Sequence, residues 1–184
     1  MIEEDMELAV QQFCAPSKWV EVIRVYDGDT FMYWDDTAQE EKTVRMLGVA
    51  APEVQPVECY GEEAGDFLRD LIVGAEVELQ FDVECLDMFG RDLAWVVFSD
   101  SDPQIADWQE NLSLWGTGTP SSGSEDSTGA EYSELLVNEL LVRLGYAEVY
   151  DVGEIDKSVR YKTQMALAEE AAVLEGLGLH SECQ

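Results

Sequence analysis

Between Trp19 and Phe98 the chain carries five short runs: WVEVIRVY (19–26), TFMYW (30–34), KTVRMLGV (42–49), EVELQF (76–81) and DLAWVVF (92–98). Each is rich in β-branched and aromatic residues and is bounded by Gly or Asp turns, which is the signature of strands. Five such strands are enough for a small barrel. One helix interrupts them: in EEAGDFLRDLIVG, Ala64, Phe67, Leu68, Leu71 and Ile72 fall on one face and Gly74 supplies the stop. Two more helices are predicted downstream. Tyr132 to Leu144 sets Leu136, Leu140, Leu141 and Leu144 along a stripe, and Lys157 to Leu174 does the same with Tyr161, Met165, Ala168 and Ala172. Stripes of this kind bury against a sheet, so the predicted class is a β-barrel with helices, five strands plus three α-helices.

A chain of 184 residues with 46% hydrophobic side chains, including five Trp and seven Tyr, can enclose one core. Its charge is unusual: 40 acidic against 10 basic residues give a net charge of -30. Such a surface repels itself and any phosphate backbone at ordinary salt. Two readings compete, a protein built for high salt, where counterions screen the acids, and an acidic binder of a cationic partner. The spread of acids along the whole chain favours the first. No apolar run approaches the roughly 20 residues that span a bilayer, and MIEEDMELAVQQFC has neither the basic region nor the apolar stretch of a signal peptide. No membrane partner is expected, and a cytoplasmic location is preferred to export with a leader removed. Cys14, Cys59, Cys85 and Cys183 lack metal-like spacing and permit three disulfide pairings or none. For an exported protein Cys59 with Cys183 is the favoured pair, because it would tie down the C-terminal tail.

GTGTPSSGSEDSTG (116–129) has no apolar periodicity and reads as a loop, while PQIADWQENLSLW (103–115) could form a short helix presenting Ile105, Trp108 and Leu112. The chemistry-bearing positions lie at turns and strand ends. In YDGDT (26–30), Asp27 and Asp29 flank Gly28, a spacing that suits a hard cation or simply a tight turn. Arg45, inside VRMLGV, shares parity with Leu47 and Val49 and so needs a ligand or a carboxylate. Glu53 follows Pro52, whose fixed φ stiffens the approach to it. Arg91 opens a strand after Gly90. Two arginines and a carboxylate beside a cation form a kit for phosphodiester hydrolysis: guanidinium forks bind the anionic oxygens, the cation neutralises developing charge, and the carboxylate takes a proton from water.

YDGDTF, VRMLGVAAPE, ECYGEEAGDFL, FGRDLAWV, VNELLVRLGYAEV and the Ala-rich helix ending in GLGLH resemble the successive blocks of the staphylococcal nuclease, or thermonuclease, family. The resemblance runs from about residue 20 to 179, apart from an enlarged loop at roughly 101–129. It implies an OB-fold type five-stranded barrel with three helices in a domain of residues 19–179, an N-terminal extension over 1–18 and a tail over 180–184. It also implies a calcium-dependent endonuclease, monomeric, that cuts single-stranded DNA or RNA by water attack and leaves 3'-phosphates.

Position by position, Asp29 resembles the family's calcium-ligating aspartate, Arg45 and Arg91 its phosphate-contacting arginines, and Glu53 its general base. Asp27 falls in the outer shell of the cation, and Ala51 stands where a backbone carbonyl faces the metal. Ala50 departs from the pattern, occupying the place of a second metal-ligating aspartate. Its loss removes one of calcium's six to eight oxygens and a unit of charge, so the resemblance implies a weakened Ca2+ site. Phe89 stands where a tyrosine is usual and can still stack on a base; Tyr150 is the second candidate for that role, with Tyr146 assigned to the core. A catalytically weakened barrel that binds nucleic acid or protein is the alternative to a working nuclease.

Overall fold

The structure, a computed structural model, describes residues 13–98, 135–150 and 160–183. The expected helix at 103–115 and loop at 101–129 lie outside the described residues. Alternation of apolar and polar side chains decides the first strands. In β1 (Lys18–Val25) and β2 (Thr30–Asp35), Val20, Val22, Val25, Phe31 and Tyr33 turn inward. β3 (Glu40–Met46), β5 (Glu76–Leu86) and β6 (Asp92–Phe98) complete the barrel, with β6 buried along its whole length. The strand order β3-β2-β1-β5-β6 is antiparallel throughout, and a parallel pairing of β3 with β6 closes it. Closure removes the free edges. The predicted five-stranded OB-type barrel is therefore the observed one.

Differences at the ends have local causes. The run KTVRMLGV does not continue as one strand: β3 ends at Met46, Gly48 takes φ 69, and Val49–Ala50 form a separate short strand, β4, paired with β8 (Glu148–Val149). β5 runs past Phe81 because Asp82 is buried, accepting the Trp95 indole N–H at 3.0 Å, so a carboxylate is held where apolar patterning would have ended the strand. The second predicted helix begins later than expected. Leu135–Leu136 pair with β6 as β7, and α2 spans Val137–Arg143.

α1 (Gly61–Ile72) buries Ala64, Leu68, Leu71 and Ile72 as its stripe predicts, and Gly74 ends it at φ 80. α3 (Lys162–Glu175) buries Met165, Ala168 and Ala172, and α4 (Leu179–Glu182) adds a last turn. Asn138 braces the interior: its side chain accepts from Val96 N at 2.8 Å and donates to Leu47 O at 2.7 Å, tying the turn after β3 to β6. Two disulfides, Cys14–Cys85 and Cys59–Cys183, staple the surface. The first fixes the chain ahead of β1, where Cys14 N also donates to Asp82 O at 2.8 Å.

Candidate functional site

The turn between β1 and β2 presents Asp27, Gly28 and Asp29. It sits tightly on two neighbours, since a Cβ on Gly28 would lie 2.6 Å from the Ala51 side chain and 2.8 Å from that of Ala64. Only hydrogen fits there, which presses the turn against the segment after β4 and the first turn of α1. Asp29 is 7% exposed. Its Oδ1 accepts from the Thr30 hydroxyl at 2.9 Å, and its Oδ2 accepts from Ala51 N at 2.9 Å and faces Arg45 Nη2 at 3.1 Å. Asp27 Oδ1 accepts from Asp29 N at 3.1 Å. Arg45 thus finds the carboxylate its strand position demanded, and its Nη1 also donates to Met46 O at 2.8 Å.

Burial pushes the Asp29 carboxyl from 3.8 up to about 6; Arg45 pulls it down and the Asp27 charge pushes it further up. The folded pKa is above the unfolded one, so the folded state binds this proton more tightly. Asp29 therefore contributes stability that is fully present below pH 3.8 and is lost as pH rises through about 6. Urea unfolding of the wild type and of Asp29→Asn across pH 4–8 checks this. The wild type is expected to lose ground to the variant between pH 5 and 7, and a constant difference would remove Asp29 as the titrating group.

Glu53 is exposed on the loop that leaves β4. Its N–H donates to Glu58 Oε2 at 2.9 Å and its carbonyl accepts from Glu58 N at 2.9 Å. A Cβ on Gly61 would lie 2.3 Å from that same carbonyl oxygen, so the start of α1 holds the loop at backbone distance. Glu53 is thereby anchored two residues beyond the Ala51 amide that binds Asp29.

Arg91 immediately precedes β6, which pairs in parallel with the strand that carries Arg45. Arg45 pairs with Leu93, two residues after Arg91, which puts the two arginines roughly 7 Å apart along the strand direction. Arg91 Nε donates to Asp87 Oδ2 at 2.5 Å, and the Arg91 and Phe89 amides donate to Asp87 Oδ1 at 2.9 and 2.8 Å. Burial opposes ionisation of Asp87, yet these donors win and hold its carboxyl below the usual range. Asp87 was not singled out in the sequence, although its spacing to Arg91 in DMFGR allowed it. Each arginine also has an aromatic neighbour. The Arg45 guanidinium lies 5.7 Å from the Tyr150 ring centroid, and that of Arg91 lies 5.5 Å from Phe89, which is 75% exposed. Asp27, Asp29, Arg45, Ala51 and Tyr150 thus form one connected set. Glu53 joins it through the backbone, and Arg91 with Phe89 stands apart in the turn between β5 and β6.

The carboxylates at this turn are Asp27 and Asp29, and those of Asp29 are already engaged by Thr30, Ala51 and Arg45. Position 50 adds none, and no group of three metal-ligating side chains occurs among the described residues. Calcium takes six to eight oxygens. Asp27 and Asp29 are the side-chain donors this turn offers, and backbone carbonyls and water would have to complete such a shell.

Residues 43–182 match the family described as "Staphylococcal nuclease homologue". Over 79 residues the chain is 42% identical to a thermonuclease of Staphylococcus hyicus, covering 41% of this chain and 46% of that protein. Over 83 residues it is 40% identical to a thermonuclease of Staphylococcus intermedius, covering 43% and 48%. The chain spans about half the length of the curated relatives it matches.

Proposed function

The chain belongs to the staphylococcal nuclease homologue family, and from that premise we propose that it is a catalytically weakened member whose barrel binds single-stranded nucleic acid. The observation that carries this reading is the pair of arginine–aromatic units, Arg45 of β3 with Tyr150 and Arg91 with Phe89 in the turn that leads into β6, the strand paired with β3. A guanidinium offers a planar fork to phosphate oxygens, and an aromatic face beside it stacks a base. Binding has a cost here: both guanidiniums must exchange a carboxylate of this chain, Asp29 or Asp87, for the phosphate. The weakening follows from Ala50, which leaves the metal seat short of a carboxylate. Calcium enters this reading as a weakly held ion near Asp29, with Asp27 in its outer shell and the Ala51 carbonyl as a further donor.

A second reading retains the full reaction, with Glu53 accepting a proton from the attacking water and 3'-phosphates as products. It is favoured by the braced, exposed setting of Glu53. Anisotropy of a fluorescent single-stranded DNA separates the two. A protein of net charge -30 repels the strand in dilute salt, so binding is expected to strengthen from 0.1 to 2 M KCl, the reverse of the usual counterion-release slope. Arg45→Gln and Arg91→Gln should each weaken it by roughly tenfold, the worth of a charge-assisted hydrogen bond, while Glu53→Gln leaves it unchanged. No binding at any salt, from folded protein, would sink the proposal. Rapid turnover abolished by Glu53→Gln would establish the second reading in its place.

A further inference from the structure

Between the start of α1 and the segment after α2 lies a cavity of about 430 Å³. It is lined by Tyr60, Phe67, Tyr146, Leu144, Leu177 and Glu175. Phe67 and Tyr146 stack with centroids 4.1 Å apart, and the Tyr60 ring lies 5.6 Å from Tyr146, so three rings wall the same space. Tyr60 holds φ 69, a conformation costly for a bulky residue and better suited to glycine. The floor is fixed by a backbone crossing. Cβ atoms on Gly145 or Gly178 would lie 2.2 Å from the Leu177 or Gly145 carbonyl oxygen, both glycines have positive φ, and Leu179 N donates to Gly145 O at 2.9 Å.

Among the described residues, the one carboxylate that lines this space, Glu175, is already paired. Glu175 is at the rim, its carboxylate held by both Arg143 nitrogens at 3.0 and 2.8 Å. Glu63 and Glu182 carry no such cation in the described contacts and lie close enough to act on the phenols. Burial first, then Tyr146, Glu63 and Glu182, raise the Tyr60 hydroxyl, and burial then Glu63 raise that of Tyr146.

We propose that this cavity binds a compact organic cation, an alkylammonium or guanidinium group carried on a short apolar stem. Aromatic faces attract such a cation through their quadrupoles, the leucines take the stem, and the chain's net charge of -30 supplies long-range attraction. An anion is repelled by the same net charge. A neutral apolar ligand would gain only from the walls.

The test compares choline with its neutral isostere 3,3-dimethylbutanol by NMR titration, read at the ring signals of Tyr60, Phe67 and Tyr146. Choline is expected to bind at least fivefold more tightly, with Tyr146→Leu losing most of that affinity. Glu63→Gln, an exposed change that leaves the core untouched, should lower the preference about twofold. Equal affinity for the two probes, or saturation that leaves these rings unmoved, would overturn the proposal. Displacement of choline by a lysine-rich peptide would support a protein side chain as the natural occupant, and failure to displace it would support a free small cation.

Discussion

Replacing Ala50 with aspartate is expected to tighten calcium binding by roughly 10- to 100-fold and to raise chelator-sensitive cleavage of single-stranded DNA by a similar factor. A unit charge pair 4 Å apart is worth about 1 kcal/mol at the dielectric of water and about 4 kcal/mol at an effective dielectric of 20. A dication doubles the Coulomb gain, and desolvating the carboxylate takes part of it back, which leaves one to two powers of ten. Room exists for the change: Ala50 lines a cavity of about 350 Å³ with Pro52, Glu58 and Glu148, so the longer side chain needs no repacking. The penalty comes from Glu148, the residue paired with Ala50 across β4 and β8; like charges facing one another cost roughly 0.2–1 kcal/mol. Calorimetry with calcium, and luminescence of bound terbium, read the site without relying on activity. If Ala50→Asp binds calcium no better than the wild type, position 50 is not the missing ligand. The hold of Arg45 and Ala51 on Asp29 would then be what closes the seat.

The arithmetic of that site was partly visible in the sequence. YDGDT, Arg45, Glu53 and the alanine at 50 stand in unbroken local motifs, and local motifs survive translation into structure because turns and strand parity place their side chains. Arg45 illustrates this: a charged residue on an inward parity has to find a carboxylate or a ligand, and it finds Asp29. What the sequence did not reveal is how the pairs commit one another. The engagement of Asp29 by the Ala51 amide joins residues 22 positions apart, and that of Arg91 by Asp87 depends on a turn whose geometry periodicity does not encode. The barrel was legible because runs of β-branched and aromatic residues bounded by Gly or Asp turns are a strong signal. The two-residue strands β4, β7 and β8 carry no periodicity at all and are set by pairing partners distant in sequence. Disulfide pairing was equally hidden, since four cysteines allow three pairings and spacing does not choose; Cys59–Cys183, favoured for an exported chain, forms, and Cys14–Cys85 follows from it.

Removing the Cys59–Cys183 bridge, by Cys59→Ala with Cys183→Ala, is expected to cost roughly 3–5 kcal/mol. The bridge closes a loop with sequence separation 124, and the chain-entropy account of cross-links places loops of that size at the upper end of the range. In a domain of this size that corresponds to a fall in Tm of about 10 °C or more. The Cys14–Cys85 bridge, of separation 71, should be worth nearly as much by the same account, so stability alone does not tell the two apart. Their local consequences differ. Cys59 is one residue from Tyr60 and sits on the loop that carries Glu53, while Cys183 anchors the end of α4. Loss of this bridge is expected to speed amide exchange over 53–60 and 179–183, to lower affinity for choline by loosening Tyr60, and to leave exchange in β2, β5 and β6 near its original rate under conditions where the fold persists. Loss of Cys14–Cys85 should leave 53–60 protected. If both double variants protect 53–60 equally well, that loop is held by the Glu53–Glu58 backbone contacts and the Gly61 approach alone, and the bridge serves stability without positioning either site.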